Sequence, residues 1–124
     1  MRFIDSNIIA YAFYENEFQE NCRKVILGGG VIDALTLVEA FNIIEYQTTR
    51  EIAVRVMRSL LKSNLEIVEV DLNLIFEALK RAQKHPKLKF LDLIHYTAAL
   101  LKGSEAIVSY DKDFNNLEIP RVEE

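Results

Sequence analysis

Short apolar runs with β character alternate with longer runs of helical spacing along the whole chain, and this alternation limits the fold more than any other feature. Strands separated by helices cannot pair through tight hairpins. They require crossover connections, hence an α/β architecture with a mainly parallel sheet and helices on both faces. The pattern predicts strands at 2–5, 31–33, 65–70 and 105–109. A last one at 117–120 carries Pro120 and so suits an edge. Helices are predicted at 7–14, 18–27, 50–62 and 90–102. Another carries Leu37, Ala40, Phe41 and Ile44 and ends near Thr48, and one starts after Asp71 and runs into a basic tail stopped by Pro86. Gly28 to Gly30 read as a connection, because no Lys-Ser/Thr follows to complete a nucleotide-binding loop.

With 124 residues, half of them hydrophobic, the chain suits one domain over 1–124. Fifteen Lys plus Arg against nineteen Asp plus Glu give a net charge of −4, so bulk electrostatics do not call for a nucleic-acid partner; only local basic patches would hold phosphates. Cys22 is the only cysteine, which excludes an intrachain disulfide and a thiolate metal cage and fits a reducing compartment. Asp5 and Asn7 interrupt the first apolar stretch, so it does not read as a secretory leader, and no apolar run reaches membrane-spanning length. A cytoplasmic protein without a membrane partner is the expectation.

In a parallel sheet with helical crossovers, ligands bind outside the carboxyl ends of the strands. Four acids converge there. Asp5 ends the first strand, and Asp111 follows the 105–109 strand by two positions. Glu39 is expected in the first turn of the helix after the second strand. Asp92 is expected in the first turn of the helix that leads back to the amino end of the 105–109 strand. Asp113, two residues past Asp111, joins them as a fifth member or a support. Carboxylates gathered in one cleft raise each other's pKa unless protons are shared or cations bound. With oxygen donors only, the fitting ion is a hard one, Mg²⁺ or Mn²⁺, and its chemistry is hydrolysis of phosphate esters.

Each acid also has a purely structural reading. Thr36 and Glu39 match a capping box, and Asp5 with Ser6 and Asn7 matches a helix cap. The stretch Ser109 to Phe114 matches a polar turn, and Asp92 complements a helix dipole. Asp71 shows the same strand-to-helix grammar and is assigned to capping. The functional reading therefore rests on the conjunction of the four.

That conjunction resembles the PIN-domain family of metal-dependent ribonucleases over nearly the whole chain. The opening DSNIIAY at Asp5 is similar to the family's Asp-Thr/Ser-Asn start, and TLVEAFNII matches its helix-borne second acid. The closing FLDLIHYTAALLKGSEAIVSYDKDF is similar to its Asp on a helix, strand, and Ser/Thr before Asp-x-Asp-Phe. The resemblance implies a PIN-like three-layer α/β/α sandwich with a mainly parallel, four- to five-stranded sheet. It also implies that Asp5, Glu39, Asp92 and Asp111 form the catalytic, metal-binding group, with Ser6, Asn7, Ser109 and Asp113 arranging carboxylates or waters. Small members of this kind are VapC-like toxins, which implies an RNA substrate, a homodimer and an antitoxin partner. One departure is His95 with Tyr96, where the family carries small residues; His95 is read as a packing or surface residue, the alternative being a hydrogen bond to Asp92 or contact with RNA.

Two basic groups are candidates for RNA contact, Arg55 and Arg58 on one helix and Lys84, Lys87 and Lys89 just before Asp92; solvated helix faces are the plain alternative. Two other functions remain open. One is a non-catalytic module whose acidic pocket binds a cation or a partner. The other is a receiver-type phosphoacceptor, for which the sequence lacks a Lys at the end of its last strand.

Overall fold

The computed structural model describes residues 1–123. In chain order the elements are β1 (Phe3–Ile4), α1 (Ser6–Tyr11), α2 (Gln19–Leu27), β2 (Val31–Asp33), α3 (Ala34–Gln47), α4 (Arg50–Leu61), β3 (Glu66–Val68), α5 (Leu72–Arg81), α6 (Phe90–Leu101), β4 (Ile107–Val108) and β5 (Arg121–Val122), with a 3₁₀ turn at Lys112–Phe114. The five strands form one sheet in the order β3-β2-β1-β4-β5, and every pairing is parallel. The expected α/β sandwich is thus observed, with five strands. Among the described residues no helix is long and apolar enough to cross a membrane.

The three layers follow from side-chain alternation along the strands. Phe3, Val31 and Ile107 stand in register and enter one core cluster with Leu74, Ala78, Ile94 and Ala98 of α5 and α6. Their successors Ile4, Ile32 and Val108 enter the other cluster, with Ile8, Val25, Ala40 and Val56 of α1 to α4. Successive strand residues point to opposite faces, so each strand feeds both cores and reads as continuously apolar. The helix starts are chemically marked. Asp71 caps α5 by accepting from Leu74 N at 2.9 Å, and Thr49 caps α4 by accepting from Ile52 N at 3.1 Å.

Three expectations shift. The first helix ends at Tyr11, not Tyr14, and Tyr11, Phe18 and Tyr110 then pack ring against ring. The α5 helix ends at Arg81, before Pro86 is reached. The last strand begins after Pro120. Ile119 is buried in the core, so apolarity at 117–120 marks burial and not pairing. Pro120 contributes only its carbonyl, which accepts from Ile107 N at 2.9 Å, a role its missing N–H does not affect. The edge placement of this strand is as expected.

One glycine sits where the sheet has no room. The backbone around Gly30 joins β1 to β3: Val31 N donates to Arg2 O and Glu66 N donates to Gly30 O, both at 2.9 Å. A Cβ at Gly30 would stand 2.8 Å from both Arg2 O and Ile4 Cδ1, at a φ of 156°. Gly30→Ala is expected to lower unfolding free energy by about 1–3 kcal/mol, the usual cost of forcing atoms into a packed site. Gly29→Ala is a partial control, since nothing lies within 4 Å of a Cβ there, although its φ of 78° carries backbone strain of its own. Urea unfolding of the two variants measures the difference.

Candidate metal centre

β1 is the switch point of the sheet, with β2 paired on one side and β4 on the other. Crossovers depart in opposite directions from such a strand, leaving a crevice outside the carboxyl ends of β1 and β4. Asp5 follows β1, and Ser109 and Asp111 follow β4.

A chain of hydrogen bonds ties these ends together. Asp5 caps α1, its Oδ1 accepting from Ser6 N at 2.8 Å. The Ser109 hydroxyl donates to Asp5 Oδ2 at 2.6 Å and accepts from Asp111 N at 2.9 Å. Asp111 Oδ1 in turn accepts from Asp113 N at 2.9 Å. Ser6 N and the Ser109 hydroxyl thus bond opposite oxygens of the Asp5 carboxylate. Asn7 stands in the first turn of α1 and makes no side-chain hydrogen bond among the described residues.

Asp92 lies in the first turn of α6. Oxygens of Asp92, Asp111 and Asp113 all fall within 4.8 Å of one another, a spacing able to hold a metal ion. Asp113 is thus a full member of this triad. Burial, then the charges of Asp111 and Asp5, push the Asp92 carboxyl up to about 6, with Glu39 adding a smaller push. Burial also raises the Asp5 carboxyl, against the hydrogen bond from Ser109. Asp5, Glu39, Asp92 and Asp111 accordingly share one electrostatic neighbourhood.

Glu39 arrives differently from the expectation. The capping box of α3 is formed by Asp33 and Thr36, with Thr36 N donating to Asp33 Oδ1 at 3.0 Å and Asp33 N donating to Thr36 Oγ1 at 3.2 Å. Glu39 therefore stands in the second turn of α3, and the capping explanation for it is removed.

His95 follows the packing alternative and not the surface one. It is buried, with 1% exposure, and is held between two carboxylates. Its Nδ1 lies 2.6 Å from Asp33 Oδ2 and its Nε2 lies 2.6 Å from Glu39 Oε1. Burial disfavours the imidazolium, but the hydrogen bonds and charges of Asp33 and Glu39 outweigh it and push the group up to about 10. At neutral pH the ring is an imidazolium donating from both nitrogens. Asp33 was not singled out in the sequence. The available signal was a histidine inside the apolar stretch LDLIHYTAAL, one turn after Asp92, because a buried ionisable ring needs partners.

The basic groups separate. Lys84 and Lys87 line a concavity of about 190 Å³ together with Asp113 and Asn115, so this group borders the acidic triad. Lys89 is the N-cap residue of α6, three positions before Asp92. Arg55 and Arg58 belong to α4, where Arg55 pairs with Glu51. A larger, mostly apolar concavity of about 350 Å³ is lined by Phe13, Ile26 and Leu60 and contains none of the acids. Asp92 and Asp111 are half-buried and Asp113 is exposed, while Asp5 is buried behind them.

Comparison with known proteins agrees with this fold. Among curated protein sequences none matches the chain. The structure is similar to VapC20 of Mycobacterium tuberculosis, a sarcin–ricin-loop-cleaving toxin, with a TM-score of 0.84 and 15% identity over 98% of each chain. It is also similar to a chain of a toxin–antitoxin complex from Klebsiella pneumoniae, with a TM-score of 0.76 and 17% identity over 98% of this chain and 96% of that one. At such identities the likeness establishes the fold. A family model described as PIN domain matches residues 2–120, and the chain belongs to the PIN-domain family.

Proposed function

We propose that this protein is a Mg²⁺- or Mn²⁺-dependent endoribonuclease, the toxin of a toxin–antitoxin pair. The observation that carries the reading is the approach of Asp92, Asp111 and Asp113 oxygens to within 4.8 Å, at the sheet's switch point and beside the buried Asp5. Family membership and the toxin-like fold support it.

The donor set fits a hard divalent cation. It consists of carboxylate oxygens, with no thiolate, and the neighbouring His95 has both ring nitrogens engaged by carboxylates. Asp5, Asp92, Asp111 and Glu39 are the residues assigned to hold it, with Asp113 beside them. A bound cation supplies charge neutralisation at a phosphodiester and a water acidified for attack. The protein's own part is to fix the acids before substrate arrives. Ser109 and Ser6 immobilise Asp5, and Asp113 N immobilises Asp111. Lys84 and Lys87, on the concavity shared with Asp113, are assigned to hold the RNA backbone; such contacts are sequence-blind and weaken with salt. Arg55 and Arg58 are assigned a lesser share of that role, and Lys89 a place at the entry to α6. A protein antitoxin and a second copy of the chain are the partners this reading implies, in the cytoplasm.

Two outcomes test the reading. Cleavage of varied RNAs should require Mn²⁺ or Mg²⁺ and stop with EDTA. Asp5→Asn or Asp92→Asn should lower the rate by about 100-fold or more, at least the upper range for losing a residue that merely orients a ligand. Equal cutting by wild type and variants would contradict it.

The second outcome concerns pH. With Asp92 raised to about 6, its ionisation costs the metal-free fold stability as pH rises from the unfolded value through 6. A cation relieves that cost, so the rise in Tm on adding saturating Mn²⁺ should be larger at about pH 7.5 than at about pH 5. Calorimetry at the two pH values measures it, and an equal or larger rise at the lower pH would count against cation binding by these acids.

A further inference from the structure

Asp33 and His95 have no place in the acidic group just described, yet both are buried and both are fully engaged. Asp33 Oδ1 accepts from Thr36 N and lies 3.3 Å from Thr36 Oγ1, while Oδ2 meets His95 Nδ1. His95 Nε2 meets Glu39 Oε1. The ring also lies against Phe3, with centroids 5.8 Å apart. We propose that Asp33 and His95 are a positioning pair for Glu39, fixing one of its carboxylate oxygens so that the side chain is oriented toward the acidic centre before a cation binds. The inference rests on the reading of that centre as a metal site.

Two features of the geometry support it. First, His95 is not placed to exchange protons with a substrate, since both ring nitrogens are within 2.6 Å of carboxylate oxygens. Its chemistry is spent on holding, and what the array adds is orientation, the function that residues behind metal ligands perform elsewhere. Second, the array joins three elements at their carboxyl-edge ends. Asp33 ends β2, Glu39 rides the second turn of α3, and His95 lies one turn after Asp92 on α6. Residues three apart on a helix share a face, so the contact that seats His95 also sets the rotation of α6 that presents Asp92.

The test is a double-mutant cycle read by Mn²⁺ affinity in the absence of RNA, using the paramagnetic resonance of free Mn²⁺. His95→Gln retains a donor but reaches only one carboxylate. It is expected to weaken Mn²⁺ binding about 10–100-fold in the parent protein. In a Glu39→Gln background the same change is expected to alter affinity by less than about 2-fold, because the pair acts through Glu39. Equal losses in both backgrounds would overturn the proposal. Thermal melts establish that each variant is folded. Should His95→Gln fail to fold, the parent protein provides a second readout. Titration with diamagnetic Mg²⁺ should shift the His95 Nε2–H resonance, and an unmoved resonance overturns the proposal. Coupling without RNA cleavage would sustain the positioning pair and refute the ribonuclease reading. Cleavage without coupling would do the reverse, and a parent protein that binds no Mn²⁺ would refute both.

Discussion

The Ser109 hydroxyl bond to Asp5 is the contact on which the site's geometry turns. β1 and β4 contribute two residues each to the sheet, and their parallel pairing places Asp5 and Ser109 side by side where the strands end. Backbone pairing continues past the strands, with Asp5 N donating to Val108 O at 3.0 Å and Ser109 N donating to Val122 O at 2.9 Å. The buried Asp5 carboxylate is therefore located by the ladder and oriented by the hydroxyl. Because the same hydroxyl accepts from Asp111 N, the turn after β4 is set by the same atom. A small displacement of β4 would move Asp5, Asp111 and, through Asp111, Asp113.

Electrostatics explain why so much of the local structure is devoted to holding acids. Burying Asp92, and placing it beside Asp111 and Asp5, raises its carboxyl to about 6, which is a cost to the metal-free fold. Hydrogen bonds from Ser6 and Ser109 to Asp5 and from Asp113 N to Asp111 offset part of that cost by satisfying the anions. His95 offsets another part, its positive charge lowering both Asp5 and Asp92. The arrangement keeps several carboxylates close without letting them relax apart, which is the condition in which a hard cation gains most from binding.

Much of this was legible in the sequence, for identifiable reasons. Strand–helix alternation dictates a parallel sheet, and a parallel sheet dictates which residues reach its carboxyl edge, which is the argument that points to Asp5, Glu39, Asp92 and Asp111, with Asp113 two residues past Asp111. Asp71 was rightly read as a cap. Local grammar was less dependable where two readings competed. Thr36 and Glu39 fit a capping box, yet Asp33 took Thr36 as its partner one turn earlier, and Glu39 meets His95 instead. The last strand was misplaced because Leu117 and Ile119 are apolar for burial, while pairing falls to Arg121 and Val122. The Asp33–His95–Glu39 array was not visible because its members are separated by 62 and 56 positions and meet only through packing. A histidine inside an apolar stretch signals a buried ring that needs partners, but its local spacing does not say which residues those partners are.

The central claim is that carboxylates from the end of β1, from α3, from α6 and from the turn after β4 converge to bind one kind of hard cation. Anomalous diffraction from crystals grown with Mn²⁺ tests it most directly. The account predicts a manganese peak bounded by Asp92 and Asp111, with Asp5 and Glu39 facing it directly or through water. Manganese density that lies away from these side chains, or none at saturating Mn²⁺, would contradict it.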